Sequence, residues 1–374
     1  MSKISFVTVC MNRLYHLCET MPVNIMQNRN FPDIEFVLLD YNSQDGLDSW
    51  VQANLMEHVE SGLVKYYKTF EPAYFNVSHS KNMGSNLASG DIFCMIDADN
   101  YAGLDFAHWV NAVFDQEGKN AVIAISESDS WIYPDLGGKI TAHRELFTAV
   151  HGFDESMTGY GMDDVDLVNR LQKAGGKKIS LEKIEHKKYI SHAGTDRLKN
   201  YYLANKLENL YYQINEATGF QVTVLYIMKD DTYQEMNYEF NESLKSDAVS
   251  KLGGWHVEKA GIKKGTVERR ADGLVLIGSE PVFYTQQTER TLVSFVDSKK
   301  VVWSRVDEDN PFYLRILFGY SHCMNHIKFL ENDQSAGPVN AGGWGRGVVY
   351  RNFDYSTPIY AETLPERKAL LSHI

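Results

Sequence analysis

The sequence predicts an α/β domain built on a mostly parallel sheet, followed by a mainly β, sandwich-like domain. Over the first 126 residues short apolar runs alternate with longer amphipathic segments, the rhythm of strands joined by crossover helices. After Gly219 the runs turn rich in β-branched and aromatic residues and are separated by Gly, Asp, Asn and Pro. The length of 374 residues also exceeds the size at which one core usually stops growing.

In chain order, the expected strands of the first domain are ISFVTV at 4–9, IEFVLLD at 34–40, IFCMID at 92–97 and AVIAIS at 121–126. Runs of this length without polar alternation suit parallel strands covered on both faces. Segments 48–60, 78–89 and 103–117 have helical spacing and supply the crossovers. Segment 198–216 also reads as a helix, which places the domain boundary at 216/217. Beyond it, FQVTVLYIM, GLVLIG, VFYT, TLVSFV, KVVWSRV, YLRILF, HIKFL and GVVYRNF read as antiparallel strands, and GPVNAGGWGRG at 337–347 as a mobile loop. This second domain, 217–374, is expected to bind an acceptor or form a homo-oligomer interface.

Composition narrows the function. With 37 Lys and Arg against 49 Asp and Glu, the net charge of -12 argues against a protein that grips duplex nucleic acid. No run approaches the roughly 20 apolar residues of a membrane span, so membrane contact is expected to be peripheral at most. MSKISFVTVCMNR reads as a first buried strand rather than a leader, and the four cysteines show no metal spacing, which together predict a cytoplasmic location.

Three constellations carry possible chemistry. Asp97-Ala98-Asp99 ends an apolar run, where two carboxylates can turn toward one hard cation; on spacing alone a solvated acidic loop is an equal reading. GYGMDDVDL at 159–167 puts three acids in the first turn of a helix, where the dipole favours them. Helical spacing sets Asp163 and Asp166 on one face and Asp164 on another, so Asp164 is the candidate to face a cleft. EHKKYISHAG at 185–194 offers His186 and His192, each by itself more readily an ordinary polar residue than a ligand.

Together these residues resemble nucleotide-sugar-dependent glycosyltransferases of the GT-A fold, the broad family-2-like group that includes the β-1,4-galactosyltransferases and bacterial polysaccharide-chain synthases. The resemblance covers roughly residues 3–200. Asp97-Ala98-Asp99 matches the group's Asp-x-Asp motif, and IEFVLLDYNSQDG its second strand and acid. HSKNMG at 79–84 resembles its Arg-Asn-x-Gly segment with Lys81 and Asn82 in the key places, and HGFDE at 151–155 running into GYGMDDVDLVNRL resembles the galactosyltransferase Gly-Phe, Trp-Gly-x-Glu-Asp and Arg-Leu pattern. Tyr160 stands for the usual Trp beside Gly161, and Asp163 for the usual Glu.

The resemblance implies an inverting, metal-dependent transfer from a nucleotide sugar to a glycan, lipid-linked or protein acceptor. Asp164 is the implied base, and Asp97, Asp99 and His192 the implied ligands of Mn²⁺ or Mg²⁺. Thr8, Cys10, Asn12, Arg13 and Asp40 would surround a nucleotide base and ribose, with uracil favoured because a carboxylate can accept its ring N–H. Lys81, Asn82 and Ala98 complete the donor side, while Trp131, Tyr133, Tyr160, Gly161 and Asp163 face the sugar or acceptor. Two other readings are a carbohydrate-binding protein with a degenerate transferase domain and a nucleotidyltransferase, although CMNRLYHL lacks the Gly-rich signature of the latter.

Overall fold

The computed structural model describes residues 2–191, 194–214, 221–240, 255–257, 261–279, 281–296, 299–335 and 337–363. The chain forms two compact units, residues 1–193 together with 328–374, and residues 194–327. This division differs from the expected boundary at 216/217. Segment 207–214 is a strand of the second unit's sheet, and the chain returns to the first unit at 328.

In the first unit the strands are β1 (Ile4–Cys10), β2 (Ile34–Tyr41), β3 (Val64–Thr69), β4 (Ile92–Met95), β5 (Ala121–Ala124), β6 (Thr141–His143) and β7 (Lys177–Ser180). Between them lie α1 (Leu14–Asn28), α2 (Leu47–Asn54), α3 (Met56–Glu60), α4 (Val77–Leu87), α5 (Phe106–Glu117), α6 (Glu127–Ser130), α7 (Arg144–Ala149) and α8 (Asp163–Lys173). The sheet runs β3-β2-β1-β4-β6-β5-β7, with β3, β2, β1 and β4 parallel and β6 antiparallel to both its neighbours. Successive residues of β1 enter opposite cores. Ile4, Phe6 and Cys10 pack with α1, α2 and α5, while Val7 and Val9 pack with α4, α7 and α8. That two-sided burial is why the strands lack polar alternation.

One buried charge holds the lower half of this sheet. Glu35 in β2 accepts from Ser5 Oγ at 2.6 Å and from Ser89 N and Oγ at 2.6 and 2.7 Å, and pairs with Lys65 Nζ at 2.5 Å. Burial alone would raise its pKa, but the Lys65, Ser5 and Ser89 contacts win and hold it at about 2 against an ordinary 4.5. A depressed folded-state pKa stabilises fully above pH 4.5 and loses that contribution as pH falls toward 2. The linked term is about 3 kcal/mol. Acid unfolding followed by circular dichroism should therefore show a stability loss across that window that is absent in Glu35→Gln.

The second unit contains α9 (Thr195–Leu198), α10 (Tyr202–Lys206) and strands β8 (Leu207–Ile214), β9 (Gln221–Met228), β10 (Thr232–Phe240), β11 (Trp255–His256), β12 (Lys263–Arg270), β13 (Gly273–Ile277), β14 (Val282–Thr288), β15 (Thr291–Val296) and β16 (Lys299–Arg305). The mainly β character is as expected, but the sheet is no sandwich. β9 pairs with both β8 and β10, so the antiparallel meander closes on itself as a barrel. Closure removes the open edges that a sandwich would keep. Inside it pack Tyr211, Leu225, Tyr284, Leu292 and Trp303.

Two further expectations are corrected. Of the described residues of segment 198–216, only Leu198 and Tyr202–Lys206 are helical, because the aromatic and branched residues of 207–214 pair along β9. YLRILF and HIKFL are not strands but parts of one helix, α11 (Pro311–Gln334), started by Pro311 and by Asn310, whose Oδ1 accepts from Phe312 N at 2.9 Å. From Lys328 onward that helix belongs to the first unit, followed there by β17 (Val348–Arg351), which pairs with β3, and β18 (Asp354–Tyr360). No helix among the described residues is long and apolar enough to cross a membrane.

Candidate functional site

The strand order turns back between β1 and β4: the chain leaves β1 toward β2, while β4 lies on β1's other side. A crevice opens outside the carboxyl ends of strands at such a switch point. Asp97, Ala98 and Asp99 follow the end of β4 there, with Ile96 N bonded to Val7 O at 3.0 Å. Their backbone is fastened to α1. Thr20 Oγ1 donates to Ala98 O at 2.7 Å, Asn24 Nδ2 to Asn100 O at 3.0 Å, and Ala102 N to Asn24 Oδ1 at 2.7 Å.

The buried Lys139 secures the same turn by donating to Tyr101 O, Ala102 O and His186 O at 2.9, 2.9 and 2.6 Å. Burial draws its pKa down to about 7, while three carbonyl acceptors favour the ammonium. Beyond it, Tyr101 N bonds Lys188 O at 3.1 Å and Ile190 N bonds Asp99 O at 2.8 Å, so the 188–190 segment runs against the motif.

The acid-rich turn reaches the crevice from α8. Gly159, Gly161 and Met162 have φ of +74°, +97° and +70°, so the chain coils left-handedly before the helix starts. For Met162, which has a Cβ, this conformation costs on the order of 1–3 kcal/mol. Asp163 and Asp166 are buried, whereas Asp164 is partly exposed. Burial and then the charge of Asp164 raise the Asp163 pKa, and its Oδ2 is buried with no hydrogen-bond partner among the described residues.

Lys81, on α4, joins the two constellations. Its buried Nζ lies 3.2 Å from Asp97 Oδ1 and 3.3 Å from Asp164 Oδ1, so residues 67 apart in sequence share one ammonium. Burial would lower the Lys81 pKa, but Asp164 and then Asp97 outweigh it and raise it. Gly138 lets this pairing form. A Cβ built there would fall 2.1 Å from Asp97 Oδ2 and 2.5 Å from Lys81 Nζ.

The other expected residues fall into different environments. Thr8 and Cys10 are buried in β1, and burial pushes the Cys10 thiol up. Asn12, at φ +54°, accepts from Gln44 N at 2.6 Å and ties the loops after β1 and β2 together. Arg13 Nη1 donates to Tyr15 Oη at 2.8 Å. Asp40 does not present an open carboxylate. It is fully buried, accepting from Ser43 N at 2.7 Å and Tyr66 Oη at 2.9 Å, with Lys68 Nζ at 3.3 Å. The case for uracil that rested on an accessible Asp40 therefore loses its basis.

Asn82 is likewise an internal clamp rather than a donor contact, with Nδ2 on Phe153 O and Glu155 Oε1 at 2.8 Å each and Oδ1 accepting from Phe153 N at 2.8 Å. Trp131 is 71% exposed and Tyr133 half-buried beneath Lys187. Tyr160 and Gly161 are half-buried in the turn before α8. His186 is buried edge-on to Phe106, with centroids 5.0 Å apart, and burial lowers its pKa to about 4. His192 lies outside the described residues.

Charge and donor type decide whether the site suits a divalent cation. Burial raises the Asp97 pKa, and Asp164 and Asp99 add to it, so carboxylates crowd here beyond what Lys81 neutralises. With the unpartnered Asp163 Oδ2, this excess of hard oxygen donors fits Mg²⁺ or Mn²⁺ bound through one or two carboxylates, with phosphate oxygens filling other positions. Asp97 and Asp99 are the residues that could hold one. No group of three His, Cys, Asp or Glu side chains converges as a ligand set among the described residues.

No curated protein sequence matches the chain. Solved structures that resemble it include a mannosyltransferase from Pyrobaculum calidifontis in complex with GDP-Man and Mn²⁺, at 16% identity and TM-score 0.43 over 55% of this chain and 64% of that one. TarS 1–349 of S. aureus gives 15% identity and TM-score 0.40 over 52% and 61% of the two chains. A Drosophila β-1,4-galactosyltransferase 7 complex with manganese, UDP-Gal and xylobiose gives 15% and 0.36 over 53% and 75%. The chain thus spans less than two thirds of the first two. Residues 126–193 match the family model described as the N-terminal domain of galactosyltransferase. The segment that carries Gly138, Lys139 and the acid turn is thus the one similar to the galactosyltransferase family model.

Proposed function

We propose that the chain is an inverting, metal-dependent glycosyltransferase that moves a sugar from a nucleotide sugar to a hydroxyl of a glycan or other large acceptor on the cytoplasmic side of the cell. The observation that carries this reading is the convergence of Asp97 and Asp164 on Lys81, at the carboxyl end of the sheet. A binding protein has no use for a carboxylate facing a crevice beside a second acidic pair.

In this mechanism the acceptor oxygen attacks the anomeric carbon from the face opposite the diphosphate. Asp164 takes the hydroxyl proton as the new C–O bond forms, and the bond to the diphosphate breaks with its electron pair leaving on oxygen. When bound at Asp97 and Asp99, a divalent cation supplies Lewis-acid stabilisation of the leaving diphosphate. Lys81, 3.3 Å from Asp164 Oδ1, holds that carboxylate in position in the crevice. Single displacement inverts the anomeric configuration. A UDP-linked donor is part of this proposal, with Asp40 no longer arguing for it, and the donor panel below decides it.

The test is a panel of UDP-, GDP- and other nucleotide sugars, with Mn²⁺, with Mg²⁺ and with chelator, scored by release of nucleoside diphosphate. Release from one donor, lost with chelator and restored by Mn²⁺ or Mg²⁺, is expected. Absence of turnover and of nucleotide binding across the panel would overturn the reading.

A further inference from the structure

The segment expected to be a mobile loop is instead fastened by several side-chain hydrogen bonds. Asn340 Nδ2 donates to His151 O and Phe153 O at 2.9 and 2.6 Å, and its Oδ1 accepts from Glu155 N at 3.1 Å. Gly345 N donates to Glu155 Oε1 at 2.6 Å, and Asn86 Nδ2 donates to Trp344 O and Gly345 O at 3.0 and 3.1 Å. Trp344 is buried edge-on to Phe147, with centroids 5.6 Å apart. Gly345 has φ +59°, and a Cβ on it would fall 2.7 Å from the Asn82 backbone.

On the end of α11, Asn332 Nδ2 bridges Asp154 Oδ2 at 2.8 Å and Asp166 Oδ1 at 3.0 Å. Asp166 also accepts from Arg170 Nε at 2.8 Å, and Arg170 Nη1 holds Val150 O and Gly152 O at 2.8 and 2.7 Å. Everything these groups hold belongs either to the 150–155 turn, where His151 and Gly152 have φ of +59° and +67°, or to the first turn of α8. Left-handed backbone persists only where surrounding contacts fix it. The stretch between these two anchored turns, residues 156–162, delivers Asp164 to Lys81.

We propose that Asn332 and Asn340 are positioning residues for Asp164, so that the returning end of α11 and the segment after it complete the active site by holding the acid turn in place. This rests on the transferase reading above. The two asparagines act through backbone and carboxylates that they cross-link alongside Arg170 and Asn82: Asn340 fixes the turn before the acids, and Asn332 ties that turn to α8. A misplacement of about 1 Å can cost roughly 100-fold in rate.

The test uses the full chain carrying Asn340→Ala, Asn340→Asp or Asn332→Ala, assayed well below the unfolding midpoint. The expected result is a fall in kcat of about 100-fold or less for the alanine variants, with KM for the nucleotide sugar and nucleoside diphosphate affinity unchanged. Asn340→Asp keeps the acceptor for Glu155 N but loses both donors, so it should not rescue. Amide hydrogen exchange gives a readout independent of turnover: amides of 152–155 and 162–166 should exchange faster in the alanine variants, while those of β1 and β4 stay protected. Unchanged exchange in both turns, or a kcat within twofold of wild type, overturns the proposal. If wild type turns over no donor, the transferase reading fails separately and exchange still decides whether the asparagines order the acid turn.

Discussion

Asp164→Asn and Asp164→Ala should each lower the transfer rate by about 10³-fold while nucleotide affinity stays near that of wild type, the loss characteristic of a removed general base. Asparagine matches aspartate in shape, so the site keeps its packing but has no group to take the acceptor proton. The packing is close: a Cβ on Gly137 would lie 3.3 Å from Asp164 Oδ2. Lys81 retains Asp97 as a partner in either variant, so the fold should hold. Steady-state transfer and calorimetric titration with the nucleoside diphosphate measure the two quantities. A transfer rate within tenfold of wild type for the asparagine variant would move the base to another residue.

Removing the ammonium should do more to stability than to binding. In Lys81→Met, Asp97, Asp163 and Asp164 repel one another with their shared cation gone, and breaking a buried ion pair from one side costs about 3–5 kcal/mol. Urea denaturation should show that loss. Arginine should rescue only in part, because its planar fork presents its donors in a different geometry from the single ammonium that Asp97 and Asp164 share. Added Mn²⁺ should restore more stability to the methionine variant than it adds to wild type, since the crowded carboxylates then have a cation to bind. A methionine variant as stable as wild type would show that the three acids are held by other contacts.

How much of this was legible in the sequence depended on how local each feature is. The strands around IEFVLLD and IFCMID, and the acids that end them, announce themselves within a few residues, because burial on both faces leaves uninterrupted apolar runs. The face occupied by Asp164 also follows from helical spacing alone. Lys139, Gly138 and Asn340 carried no such signal. Their partners lie about 40 to 190 residues away, and nothing near Asn340 distinguishes a clamp from a loop. Asp40 shows the ambiguity directly. An acid at a strand end can face a ligand or the interior, and only Tyr66 and Lys68 on the neighbouring strand decide it. The α11 helix was masked because aromatic and branched residues surround it on most sides, without the polar stripe of an amphipathic helix.

The first unit is written in two pieces, with residues 194–327 between them. A ribosome adding roughly 5–20 residues per second needs on the order of 7–27 s to translate that interval. Through that time the nascent chain already contains every acid of the crevice but not Asn332, Asn340 or the strand that pairs with β3. Catalytic competence is thus a late event in vectorial synthesis. A chain released early would carry the complete chemical alphabet of the site and still lack the residues that fasten it.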